Sequence, residues 1–144
     1  MKPENRSTAI VTCMDARLDA AGFLDSWPAR VHVIRNAGGR VTADVLRSVA
    51  VSCAMETECI AVVHHTRCRM AECTDEELRE LLPADAAQEI DFLTIADPIE
   101  TLREDVRSLR DSPLLPPGIE VRGYVYDLDS RTLRTIEIES DARL

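Results

Sequence analysis

Apolar residues follow two rhythms along this chain, and the alternation between them sets the expected architecture. Residues 8–13 form a continuous apolar run of the length that is buried on both faces of a parallel sheet. Residues 30–35 alternate before turning apolar, and residues 58–64 form a third run ending at the doubled His64-His65. Between them Val45, Leu46, Val49, Ala50, Cys53 and Ala54 recur at helical spacing behind Thr42, a good N-cap. Residues 18–24 also show helical spacing, but Gly22 interrupts them, so at most two turns are expected before Ser26-Trp27-Pro28. Thr74-Asp75-Glu76-Glu77 has the capping-box pattern and opens a helix to about Leu82, ended by Pro83. Asp97-Pro98-Ile99-Glu100 opens another, with Ile99, Leu102, Val106 and Leu109 on one face and charges on the other. Residues 84–91 have no decisive period, and the short apolar run 92–96 fits a connector or a brief strand. Beyond the proline-rich stretch 113–118, residues 120–128 alternate as a strand, Asp129-Ser130-Arg131 turns, and 133–138 return as a hairpin.

Strands alternating with helices predict a right-handed α/β fold. The expected form is a mostly parallel central sheet of about four strands, an antiparallel edge strand last, and helices on both faces. With 144 residues and 45% hydrophobic content, the whole of 1–144 is expected to be one domain. The net charge of −9 leaves no basic stripe, so nucleic acid and anionic membranes are not expected partners. Lys2 is the sole lysine, which together with the acidity fits a GC-rich genome or a salt-loving host. The chain starts without an apolar leader and has no run of about 18 apolar residues, so a cytoplasmic location is expected. Five cysteines without regular spacing argue against a disulfide framework. Cys53 and Cys59 fall inside apolar periodic segments and read as core filler, Trp27 as packing, and His32 as structural.

Chemistry concentrates where apolar runs end. Cys13-Met14-Asp15-Ala16-Arg17 alternates a thiol, a carboxylate and a guanidinium, which an extended segment would project from one side. The third run delivers His65-Thr66-Arg67-Cys68, an H-x-x-C pair. Either segment alone fits buried thiols and a core histidine. Together, Cys13, His65 and Cys68 suit Zn²⁺ with one coordination position left open. Arg35-Asn36-Ala37-Gly38-Gly39 follows the second run, and its paired glycines permit positive φ beside a helix N-terminus, so the loop could shape an anion or substrate wall.

In this order, the three motifs resemble those of the β-class carbonic anhydrases, across roughly residues 8–138, and are closest to short prokaryotic forms with a doubled histidine. The resemblance implies a Zn²⁺ enzyme that interconverts CO₂ and bicarbonate through a zinc-bound hydroxide. It implies Cys13, His65 and Cys68 as metal ligands, Asp15 and Arg17 as the catalytic pair, and Gly38, Gly39 and Arg69 at the substrate. It also implies a homodimer or higher homo-oligomer, whose partner subunit adds apolar residues to the site, and an aspartate able to ligate zinc at low pH. Two departures stand out. Arg69 replaces a glycine that usually supplies a backbone N–H, so a glycine-only φ there would be strained. With only about seven residues ahead of the first strand, the N-terminal helix with which many relatives wrap a partner is not expected. Hydrolysis of carbonyl sulfide or carbon disulfide on the same zinc is one alternative, and a zinc-binding regulator with little turnover is another. A thiol redox role for Cys68 and Cys73 is disfavoured because their spacing is not C-x-x-C.

Overall fold

Five strands form one sheet in the order β2-β1-β3-β4-β5, with β1 Thr8–Cys13, β2 Val31–Asn36, β3 Cys59–His65, β4 Glu120–Asp127 and β5 Thr132–Ile136. The computed structural model describes residues 6–27 and 30–139, so the expected leaderless start at 1–5 and the stop at Pro28 lie outside it. Strands β1 to β4 run parallel and β5 pairs antiparallel to β4, as the alternation of elements predicts. Register places Cys13 opposite Asn36 and Thr12 opposite Val63. The carboxyl ends of β1, β2 and β3 therefore meet at one rim, the usual location of chemistry in such sheets.

The period of two in β3 divides the core. Ile60 and Val62 face one side, where they pack with Val45 and Val49 of α2 (Ala43–Ala54) and Leu102, Val106 and Leu109 of α6 (Pro98–Arg110). Ala61 and Val63 face the other, with Leu18 of α1 (Ala16–Ala20), Phe23, Trp27, Tyr124 and Tyr126. His64 and His65 consequently point to opposite faces. Trp27 does pack, edge-on to Tyr124 with centroids 5.9 Å apart, and the Tyr126 hydroxyl donates to the Ala21 carbonyl at 2.8 Å.

Local capping explains most helix starts. Thr42 accepts from the Val45 amide, Thr74 and Glu77 complete a capping box on α4 (Asp75–Glu80), and Asp97 accepts from the Glu100 amide ahead of Pro98. Gly22, with φ 74°, ends the first helix and turns the chain into a 3₁₀ turn at Phe23–Ser26. Residues 84–91 contribute only the single turn α5 (Ala84–Ala87), and the run 92–96 is a connector whose Ile95 amide bonds the Met70 carbonyl at 2.7 Å. Gly123 brings α6 close to β4: a Cβ there would lie 3.1 Å from Val106 Cγ2. One expectation fails on α6. Asp105 shares the buried face with Leu102 and Val106, instead of joining the solvated charges.

Leu102 is fully buried between α6 and the sheet. Leu102→Ala is expected to lower stability by about 2–5 kcal/mol, seen in urea unfolding as a lower midpoint with an unchanged slope.

Candidate metal centre

The rim of the sheet assembles the site from three chain ends. Cys13 closes β1, His65 closes β3, and the turn after β3 brings Cys68 back beside them. Their sulfur and imidazole donors all lie within 4.8 Å of one another, and all three residues are buried. The two sulfurs are 4.0 Å apart. His65 Nδ1 lies 2.8 Å from the Thr66 carbonyl, which assigns the ring proton to Nδ1 and leaves the lone pair on Nε2. That Nε2 is buried without a hydrogen-bond partner, the arrangement expected of a ligand nitrogen oriented through its other side. Two thiols and an oriented imidazole fit Zn²⁺ by both donor type and spacing.

Hydrogen bonds from other elements fix each loop. The Thr66 amide donates to the Tyr126 carbonyl at 3.0 Å, and the Leu128 amide donates to Thr66 Oγ1 at 3.0 Å, pinning the turn to β4. Arg67 takes the left-handed conformation at φ 53°, after which Cys68 caps α3 (Arg69–Glu72). The left-handed backbone of H-x-x-C is therefore at Arg67. Arg69 is helical and exposed, so the strain feared for a glycine replacement does not arise there.

Asp15 and Arg17 do meet, though not along an extended strip. Asp15 is the N-cap of α1, and its Oδ1 accepts the Arg17 amide at 2.9 Å. The Arg17 side chain then wraps back, with Nη2 2.6 Å from Asp15 Oδ2 and 2.8 Å from the Arg67 carbonyl. One guanidinium thus ties the first loop to the H-x-x-C turn. Its hydrogen bonds hold the Asp15 carboxyl down to about 2, and Asp15 Oδ2 stands 3.8 Å from His65 Nε2.

Gly38 and Gly39 are buried against Cys13. The Gly38 amide donates to Cys13 Sγ at 3.4 Å, while Gly39, at φ 66°, lies so close that a Cβ would be 2.9 Å from the Thr12 carbonyl carbon. This is close backbone approach, the use for which glycine is suited. The two thiols titrate as a pair. The Cys68 thiol donates to Cys13 and, against the opposing effect of burial, lowers Cys13 to about 4; Cys68 rises correspondingly. Burial opposes a charged His65, yet Cys13, the Thr66 carbonyl and Asp15 outweigh it and raise its pKa.

Arg35 and His64 lie inside the sequence motifs without a role of their own there, and Arg40 and Asp105 lie outside them. Arg35 donates to the carbonyls of Cys13 at 2.8 Å and Asp15 at 2.9 Å, pairs with Asp19, and lies 5.7 Å over the Phe23 ring. On the opposite face, Arg40 forks onto Asp105 at 2.8 and 3.3 Å, with His64 Nε2 3.3 Å from the same carboxylate. The available signal was Asp105 itself, a charge at an apolar position of an amphipathic helix. Removing one partner of so buried a pair costs about 3–5 kcal/mol.

The comparisons agree with this geometry. A family model described as carbonic anhydrase matches residues 8–111, and β-carbonic anhydrase 1 of Mycobacterium tuberculosis is 34% identical over 137 residues, spanning 93% of this chain and 84% of that protein. The chain belongs to the β-carbonic anhydrase family. It is accordingly an enzyme of the carbonic anhydrase type, a lyase. A solved carbonic anhydrase from Streptococcus mutans superimposes with a TM-score of 0.80 at 42% identity, covering 94% of this chain and 84% of that one. A carbon disulfide hydrolase of an Acidianus species is also 34% identical, over 92% of this chain and 78% of that protein.

The depressed pKa of Asp15 gives a signed expectation. The folded-state value lies below the unfolded one, so the pair's contribution is fully present above about pH 4 and is lost as pH falls through about 2. Acid unfolding of wild type and Asp15→Asn should therefore differ above pH 4 and converge near pH 2.

Proposed function

We propose that this chain catalyses the zinc-dependent, reversible hydration of CO₂ to bicarbonate, with Cys13, His65 and Cys68 as ligands and Asp15 with Arg17 as the catalytic pair. The observation that carries this reading is the cluster of two sulfurs and one imidazole within 4.8 Å, with the arginine-held Asp15 carboxylate beside it. When bound, Zn²⁺ supplies the Lewis acidity that makes a water nucleophilic near neutral pH. Asp15 Oδ2 offers that water a hydrogen-bond acceptor at a fixed position. Arg17 keeps the acceptor ionised and aimed, and Arg35 holds the Cys13 and Asp15 backbones, so little reorganisation is needed when substrate arrives. Gly38 serves through the Cys13 sulfur and Gly39 through its contact with the β1 backbone. Arg69, exposed at the start of α3 directly after Cys68, would place a cation beside a site that must admit a neutral gas and release an anion.

The equal identity to a carbon disulfide hydrolase favours a second reading, hydrolysis of that CO₂-like molecule on the same ligands. Access and pocket shape would then decide between substrates. The proposal extends to a cytoplasmic homodimer or higher homo-oligomer acting on a small molecule. In support, β2 is an edge strand with Val33 37% exposed, and Met14 beside Cys13 is 66% exposed. Among the described residues no helix is long and apolar enough to cross a membrane.

Metal content, stopped-flow CO₂ hydration and carbon disulfide hydrolysis measured on one purified sample test both readings. One zinc per chain and hydration rising above about pH 7.5 are expected. Cys13→Ser should lose most of the zinc and Cys53→Ser should keep it; equal retention would reassign the site. Turnover of carbon disulfide with negligible CO₂ hydration would decide for the second reading. Arg69→Gly should raise CO₂ hydration with zinc content unchanged, and a loss of activity would make Arg69 a working part of the site.

A further inference from the structure

We propose that Arg40 and Asp105 are a positioning pair that holds the Gly38 amide on the Cys13 sulfur from the far side of the sheet. The consequence for the metal rests on the zinc reading above, whereas the positioning itself does not.

The loop after β2 is held at both of its ends. Asn36 closes it, its side chain accepting from the Arg40 amide and donating to the Arg40 carbonyl, both at 2.9 Å. Where Arg40 sits therefore fixes where Ala37, Gly38 and Gly39 sit. Arg40 is in turn anchored by its side chain, which is only 12% exposed and meets an Asp105 side chain only 4% exposed. Its third nitrogen donates to the Leu93 carbonyl at 3.1 Å. The same connector bonds Met70 through the Ile95 amide at 2.7 Å, and Met70 Cβ would be 3.4 Å from a Cβ on Gly38. One guanidinium thus links α6, the connector and the loop, and through them it braces the segments that follow Cys13 and Cys68. Three directions of donation from one planar head are available to arginine and not to lysine. The pair is not surface decoration, because a carboxylate this buried persists only with such partners.

An N–H donated to a thiolate draws charge from the sulfur and fixes its direction, which sets how strongly the sulfur donates to a metal. Arg40 and Asp105 touch neither ligand nor substrate, so both act through Gly38.

The test uses the double variant Arg40→Met/Asp105→Leu, which removes both charges and leaves neither buried alone. Three readouts are taken: amide hydrogen exchange of Gly38 in metal-free protein, the sulfur-to-metal charge-transfer band of the Co²⁺ form, and Zn²⁺ affinity by chelator competition. The expected result is a folded protein with Val62 exchange as in wild type, Gly38 exchange about 10-fold faster or more, and a shifted cobalt band. Zinc affinity should fall about 10–100-fold. Arg40→Lys keeps Asp105 paired with a charge but lacks the fork; it should show the same changes in smaller degree, and it carries the test if the double variant does not fold. Unchanged Gly38 protection and an unchanged band in a folded variant would overturn the proposal and leave the pair as packing. Failure of wild type to take up either metal would overturn the zinc reading instead, and Gly38 exchange in metal-free protein would still decide this one.

Discussion

The sulfurs of Cys13 and Cys68 are 4.0 Å apart and buried, a separation at which two negative charges repel by about 4 kcal/mol at an effective dielectric near 20. With protons alone, the conflict is resolved by sharing: Cys13 is easily ionised because Cys68 keeps its proton and donates it. A divalent cation resolves it differently, by allowing both to be thiolates. Close approach is imposed by the fold rather than chosen by the sulfurs. The parallel register of β1 and β3 brings their ends together, and the turn at Arg67 returns Cys68 to the same rim.

Arginine forks hold the loops of this rim. Arg17 joins Asp15 to the Arg67 carbonyl, Arg35 joins the Cys13 and Asp15 carbonyls to Asp19, and Arg40 joins Asp105 to the Leu93 carbonyl. Each spans two or more segments with one rigid planar group, where an ammonium would act only as a point charge. The near-absence of lysine, read in the sequence as a mark of the genome, therefore also has a structural use. These links matter because loop backbone near a sheet edge has few ladder hydrogen bonds of its own. Relatives equally identical to this chain are named for two different substrates, so overall likeness does not separate the substrates.

The sequence by itself determined the strands, the caps and the ligand spacing, because each depends on residues close along the chain. Thr42, Thr74 and Asp97 cap within three residues of themselves, and the apolar runs reveal strands through a period of two or full burial. The ordered motifs around Cys13, Arg35 and His65 carried the family. Tertiary structure decided the rest. It set His64 against Asp105, made Asp15 a helix cap instead of part of an extended strip, and put the left-handed residue of the H-x-x-C turn at Arg67. It also turned Asp105 inward to a partner 65 residues away. A charge on an apolar helix face is stable only with such a partner, and local pattern holds no record of a contact that exists only once the chain has folded.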